Sequence, residues 1–235
     1  MSHIPCSIEH GHLFLHAADG AWLVDTGSPI SIGPAPSVEM AGHTIPLVPS
    51  AHAMDARSLS EFVGGPVAGL LGMDFLRHHD VRFDPAGGTA TIDPEAVASD
   101  GHPIPISLRG HIIVLDANVG GEDTELLMDT GAPLSYWQSG RRTDFPTEVP
   151  YDDFHPLLGR FVTTVHRVPV RVGGWEREVA FGHLPAPVGT GVEMMGVSGI
   201  LGLDVFAYGP VDFNFRQGRL ILPRKEGGDH VRRAA

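Results

Sequence analysis

The sequence predicts an all-β protein, and three observations carry that expectation. The 235 residues include 30 glycines and 20 prolines, which punctuate the chain too often for a helical bundle. Between these breaks lie short alternating runs such as "HLFLHA" and "ELLMDT", with the period of strands that bury one face. Hydrophobic residues at 42% and charged ones at 19% describe a chain with a packed core, not a disordered one. The chain also repeats itself, which is the pattern of a duplicated unit.

Four blocks recur in the same order. "IPCSIEHGHLFL" from Ile4 resembles "IPISLRGHIIV" from Ile104, with one residue fewer before the shared Gly-His. "AWLVDTGSP" (21–29) answers "LLMDTGAP" (126–133), and "AGLLGMDFL" (68–76) answers "SGILGLDVF" (198–206). The copies then run on without a gap, so that Val81, Phe83 and Gly88 match Val211, Phe213 and Gly218. The boundary falls near "PEAVASDGHP" (94–103), which predicts a first lobe over 1–98 and a second over 99–223. The charged segment 224–235 reads as a flexible tail.

In order along the first copy, "HLFLHA" and "AWLVDT" predict a hairpin around Asp19-Gly20, and "VEMAGHTIPLV" a second with Gly at its turn. "DARSLSEF" predicts a helical turn and "GMDFLRHH" a short helix before the last hairpin. In the second copy "HIIVLDANV" and "ELLMDT" pair across Gly120-Gly121, "VRVGGWEREVAF" is a hairpin, and "GLDVFAYG" is the second short helix.

Composition also excludes some functions. Sixteen basic against 28 acidic residues leave a net charge of −12, which disfavours an extended phosphate-binding surface and hence nucleic acid as partner. "GGPVAGLLG" lacks the Lys-Ser/Thr of a phosphate loop. The 14 histidines include no His-Glu-x-x-His, and His10/His12 and His78/His79 have no acidic or cysteine partners at ligand spacing, so they read as surface residues and no metal is expected. The single cysteine, Cys6, excludes an internal disulfide and reads as a small buried hydrophobe. The N-terminus lacks a signal-peptide pattern and no stretch reaches membrane-span length, so the expectation is a soluble cytoplasmic protein without membrane contact.

The apolar-Asp-Thr-Gly-Ser/Ala motif of each half, followed by "LLG" (70–72) or "ILG" (200–202), resembles the aspartic proteases of the retroviral (retropepsin) and pepsin type, here duplicated within one chain. The resemblance covers residues 3 to 223 and implies a two-lobed acid-protease fold with the active site between the lobes. It implies an aspartic endopeptidase that needs no cofactor, acts on peptide or protein substrate, and forms its dyad as a monomer. Asp25 and Asp129 are the implied catalytic pair, supported by Thr26, Gly27, Ser28, Thr130, Gly131 and Ala132. The threonines would lock the two loops across the interface. Pro29 and Pro133 depart from the family, in which a small polar or acidic residue usually follows.

The chemistry explains the need for two carboxyls. Hydrolysis without metal or covalent intermediate requires a base to activate water and an acid to protonate the carbonyl oxygen at the same time. Two carboxyls held close cannot both ionise, so they share a proton and supply one of each; the aspartic protease dyad is the standard example of this effect. Ser28 offers a hydroxyl to Asp25 where Ala132 offers none to Asp129, which predicts that Asp25 holds the charge and Asp129 the proton.

Spacing separates the halves. Asp25 and Gly72 lie 47 positions apart, Asp129 and Gly202 lie 73 apart, and the surplus includes "YDDFHPLLGRFVTTVHRV". This segment (151–168) resembles the family's flap, so one flap is expected, on the second lobe, with Leu157, Leu158, Gly159 and Phe161 against substrate. Trp137 reads as pocket wall or core, Trp22 as core, and Tyr151 and Phe154 as under the flap or in the core. Two other readings of the motif remain: a pair of turn aspartates, or a non-proteolytic member of the fold that binds a peptide or small molecule or uses the carboxyls for acid-base chemistry.

Overall fold

The structure is a computed structural model that describes residues 2–51, 54–93, 100–138, 140–155 and 157–224. The first copy contains β1 (Ser2–Glu9), β2 (His12–Ala17), β3 (Gly20–Val24), β4 (Ser37–Met40), β5 (His43–Pro46), α1 (Ala56–Val63), β6 (Gly69–Leu71), α2 (Met73–Leu76), β7 (Val81–Asp84) and β8 (Thr89–Ile92). The second contains β9 (Gly101–Pro105), β10 (Ser107–Arg109), β11 (Ile112–Val119), β12 (Glu122–Met128), β13 (Ser135–Trp137), β14 (Tyr151–His155), β15 (Gly159–Thr163), β16 (His166–Val172), β17 (Trp175–Gly182), α3 (Val188–Met194), β18 (Gly199–Leu201), β19 (Val211–Asn214) and β20 (Arg219–Pro223). The protein is therefore mostly β, as the alternating runs predict. Among the described residues no helix is long and apolar enough to cross a membrane.

The two copies meet in one sheet. Its order, β6-β3-β2-β1-β8-β7-β19-β20-β9, joins strands of both, and the seam is the antiparallel pair β7–β19. Val81 faces Phe213 and Phe83 faces Val211, so the residues that match in sequence pair as symmetry mates. Phe83 and Phe213 pack edge to face with ring centroids 5.8 Å apart, a geometry worth about 0.5–1.5 kcal/mol beyond the area it buries. Beside them Arg82 donates to both Asp212 oxygens at 2.9 and 3.0 Å.

β1 serves two ladders, with Ser2–Pro5 on β8 and Cys6–Glu9 on β2; in the second copy Ile106 separates β9, which pairs with β20, from β10, which pairs with β11. In the second copy β11, β12, β18, β13, β17 and β16 form a closed ring, sealed by Asn118↔Arg171 and Val119↔Val170. Closure leaves those strands no open edge.

Several sequence expectations are corrected here. The Gly-His dipeptides are not equivalent: Glu9↔His12 and Arg109↔Ile112 close the same turn, so Ile4 to Leu15 aligns with Ile104 to Leu115 without a gap. The turn holds His10-Gly11, both with positive φ (50° and 78°), in one copy, and in the other Gly110 takes the left-handed position at 68°. The β2–β3 hairpin pairs Ala17 with Gly20 and so turns on Ala18-Asp19, not Asp19-Gly20. The β14–β15 hairpin ends at Thr163, since His166 onward is barrel strand β16. Helix α3 lies in a segment too rich in Gly and Pro to read as helix. The predicted α1 forms with a capping box between Asp55 and Ser58.

The boundary segment falls in part on 94–99 and the tail chiefly on 225–235, outside the described residues; Arg224 pairs with Asp100 at 2.8 Å. Cys6 and Trp22 are buried in the main core, as expected.

Candidate active site

Each Asp-Thr-Gly follows a core strand that is held by a parallel neighbour. β3 runs beside β6 and β12 beside β18, and each pairing ends one residue before the aspartate, at Val24↔Leu71 and Met128↔Leu201. The next rung holds the aspartates themselves: the Asp25 amide donates to Leu71 O and the Asp129 amide to Leu201 O, both at 3.0 Å. The recurrent Leu-Leu-Gly and Ile-Leu-Gly blocks thus fix where the carboxyls emerge.

The threonines tie the two loops together, in the manner the resemblance implies. Thr26 N–H donates to Thr130 Oγ1 at 3.0 Å and Thr130 N–H to Thr26 Oγ1 at 2.9 Å. The hydroxyls then donate onward, Thr26 to Met128 O at 3.0 Å and Thr130 to Val24 O at 2.9 Å. Both side chains are buried, so these four bonds form without competition from water.

The lock brings the two carboxyls side by side, onto one shared donor. The Gly27 amide reaches both, at 2.8 Å to Asp25 Oδ1 and 3.1 Å to Asp129 Oδ1. Ser28 N–H adds a bond to Asp25 Oδ1 at 2.9 Å, and Gly131 N–H one to Asp129 Oδ1 at 2.8 Å. Ser28 departs from expectation, because its hydroxyl donates to Ile30 O at 2.9 Å and only its amide serves Asp25. Each carboxylate therefore has two amide donors, and the predicted division of charge to Asp25 and proton to Asp129 loses its hydroxyl basis. Ala132 is buried, and its amide lies 3.4 Å from Asp129 O.

Burial, then the adjacent Asp129 charge, push the Asp25 carboxyl up to about 8, against the pull of its amide donors. Burial likewise raises Asp129. Both aspartates nevertheless keep partial exposure. Titration of two carboxyls this close belongs to the pair and not to either residue.

Two further residue pairs support the loops and were not singled out in the sequence. Ser31 donates its hydroxyl to Asp74 Oδ1 at 2.6 Å and accepts the Gly72 amide at 3.0 Å. Ser135 repeats this with Asp204 Oδ2 at 2.7 Å and the Gly202 amide at 2.9 Å. Burial lifts Asp204 to about 6 in spite of the bonds from Ser135. The signal was available: Ser recurs six positions after each motif aspartate, and Asp two positions after each Leu-Gly.

Gly27 and Gly131 have no room for a side chain. A Cβ on Gly27 would stand 2.5 Å from Asp129 Oδ2, and one on Gly131 2.6 Å from Asp25 Cγ. Gly27→Ala is expected to cost about 1–3 kcal/mol by overpacking and to part the carboxyls. Thermal denaturation beside Gly191→Ala checks this, since Gly191 lies in α3 with nothing within 4 Å of such a Cβ.

The β14–β15 hairpin carries the other predicted residues. Leu157 at its tip is 70% exposed, while Leu158, Gly159 and Phe161 are half-buried. Pro156 lies outside the described residues. Tyr136 O–H donates to Asp153, and the Tyr136 ring lies 6.3 Å from Phe161. Half-buried Phe154 reaches the other copy and sits 4.6 Å from Phe62 of α1, while half-buried Tyr151 packs on the second copy's smaller apolar cluster. Trp137 is not a pocket wall: it is 1% exposed and packs between Phe145 and Phe181. Its place on a central barrel strand explains the burial.

No family model matches this chain, and no curated protein matches it in sequence. The chemical reading therefore rests on the site itself: two carboxyls that share one amide donor, burial that raises both, and a hairpin from the second copy reaching the first.

Proposed function

We propose that the chain is an aspartic endopeptidase of the pepsin and retropepsin kind, a two-lobed protein whose lobes each donate one carboxyl to a cleft. The observation that carries the reading is the Gly27 amide bonded to both Asp25 and Asp129, inside a reciprocal threonine lock. Such symmetry has no purpose in a pair of turn aspartates, which would face water separately. A water between the carboxyls loses a proton to the ionised one as its oxygen attacks the peptide carbonyl carbon. The protonated carboxyl gives its proton to the carbonyl oxygen; the resulting diol collapses when the carboxyl that took water's proton passes it to the amide nitrogen, the C–N bond breaks, and the other carboxylate takes back a diol hydroxyl proton as the C=O re-forms, which restores the singly protonated pair. No metal or cofactor enters this scheme, and one chain supplies the whole dyad.

The β14–β15 hairpin acts as the flap, excluding water and clamping an extended peptide. A second reading draws support from Phe154 on Phe62, a contact that narrows the opening and suits a small molecule worked on by the same carboxyls. A peptide-library digest separates the two. Cleavage by the wild type that is lost in both Asp25→Asn and Asp129→Asn supports the peptidase; no cleavage by the wild type, or cleavage surviving in either variant, overturns it.

A further inference from the structure

A second cluster of chemistry lies in the first copy, apart from the aspartate pair. His43 on β5, His79 after α2 and Asp93 after β8 converge although 36 and 14 positions separate them in sequence. Asp93 Oδ2 stands 2.9 Å from His79 Nδ1 and 3.2 Å from His43 Nε2, and the three atoms all lie within 4.8 Å of one another. The imidazoles are 4.2 Å apart between centroids, and Phe75 packs 4.5 Å from the His79 ring. Asp93 is itself held in a left-handed conformation at φ 49°, with its amide bonded to Asp80 O at 2.6 Å.

We propose that His43, His79 and Asp93 form a binding site for a divalent transition-metal ion, with zinc the best match. Ligands about 2.1 Å from an ion stand about 3.0 Å apart at right angles and about 3.4 Å apart in a tetrahedron. The two separations from Asp93 fall in and beside that range, and the histidine nitrogens, within 4.8 Å of each other, close on the ion as it replaces the imidazole protons. Two imidazoles and a carboxylate suit zinc, cobalt or nickel better than calcium or magnesium, which take oxygen ligands. The side chains are 34%, 15% and 32% exposed in the order His43, His79, Asp93, which leaves an entry path and room for water as a further ligand.

The surroundings hold the carboxylate in place. Asp93 Oδ1 accepts from the Asp80 amide at 3.3 Å and lies 3.7 Å from Arg216, whose charge Asp80 neutralises at 2.6 Å. Oδ2 is therefore the oxygen turned to the histidines. The ion's effect follows from where His43 sits: β4 and β5 form a separate two-stranded sheet, and metal binding ties that hairpin to the α2–β7 turn and the end of β8.

The test is titration of the chelator-stripped full-length protein with cobalt, followed by visible absorption, and with zinc, followed by thermal denaturation. One equivalent of cobalt is expected to give a low-symmetry absorption band, and zinc to raise Tm by about 5 °C. Asp93→Asn, His79→Ala and His43→Gln should each abolish both signals, while His111→Ala in the β10–β11 turn keeps them. His43→Gln lies on a surface hairpin, so it guards against a general folding defect in the other two. No band and no Tm rise in the wild type, or the same response in all three variants, overturns the site.

Discussion

Asp25→Asn and Asp129→Asn are each expected to lower kcat on a cleaved peptide by about 10⁴-fold, and the double variant by little more than either alone. In the proposed mechanism the two carboxyls act as one acid-base unit, so removing either member leaves no route for the paired proton transfers. Folding should survive, because the asparagine oxygen still accepts the Gly27 and Ser28 amides, or those of Gly131 and Gly27. Stability gives an independent readout. The Asp25 carboxyl is raised to about 8 when folded, so between the usual carboxylate range and pH 8 the folded state holds more protons than the unfolded one. Stability then falls as pH rises through that window, and it is fully recovered at acid pH. Asparagine cannot take on the second charge, so Asp25→Asn should raise Tm at pH 9, by about 3–6 °C, and change it little at pH 4. Thermal denaturation at the two pH values, set beside the kinetics, checks both effects.

Thr26→Val should be the most destabilising conservative change near the site. Valine keeps the shape, but it strips an acceptor from the Thr130 amide and a donor from Met128 O, both buried. Each orphaned group costs about 1–3 kcal/mol, so a loss of about 3 kcal/mol and a fall in Tm of about 6–12 °C are expected. Thr130→Val removes the mirror-image pair of bonds, to the Thr26 amide and Val24 O. The two losses should not add, since each variant already breaks a lock that both threonines make. Thr44→Val, on an exposed strand, is the control. Urea unfolding of the wild type, the two single threonine variants and the double variant measures the coupling, beside the control; a sum of independent effects would contradict the lock.

Much of this architecture was legible because the chain states it twice. Asp25 and Asp129 stood out from turn aspartates only because the Leu-Leu-Gly and Ile-Leu-Gly blocks recur downstream, and in the structure those blocks are the parallel strands that hold the aspartate amides. Gly pairs such as Gly120-Gly121 mark their hairpin in the sequence because both residues take positive φ. Ala18-Asp19 lacks that chemistry, so its turn sits one residue from where the neighbouring Gly20 suggests. Trp137 was ambiguous because an aromatic beside a motif looks the same whether it faces a pocket or a barrel interior. Ser28 failed for a finer reason: its hydroxyl and amide compete for different acceptors, and no spacing rule says which one reaches Asp25. The cluster of His43, His79 and Asp93 was invisible because its members come from three separate elements, so only tertiary folding sets them at ligand distance.

The shared proton is tested most directly by following the side-chain carboxyl carbons of Asp25 and Asp129 by ¹³C NMR across a pH titration, with each Asn variant supplying the assignment. A pair that holds one proton through neutral pH should show its last deprotonation near 8, sensed by both carbons together. Two carbons that each finish titrating near the ordinary carboxylate value of about 3.9 would leave two charges and no acid at neutral pH, and would contradict the dyad.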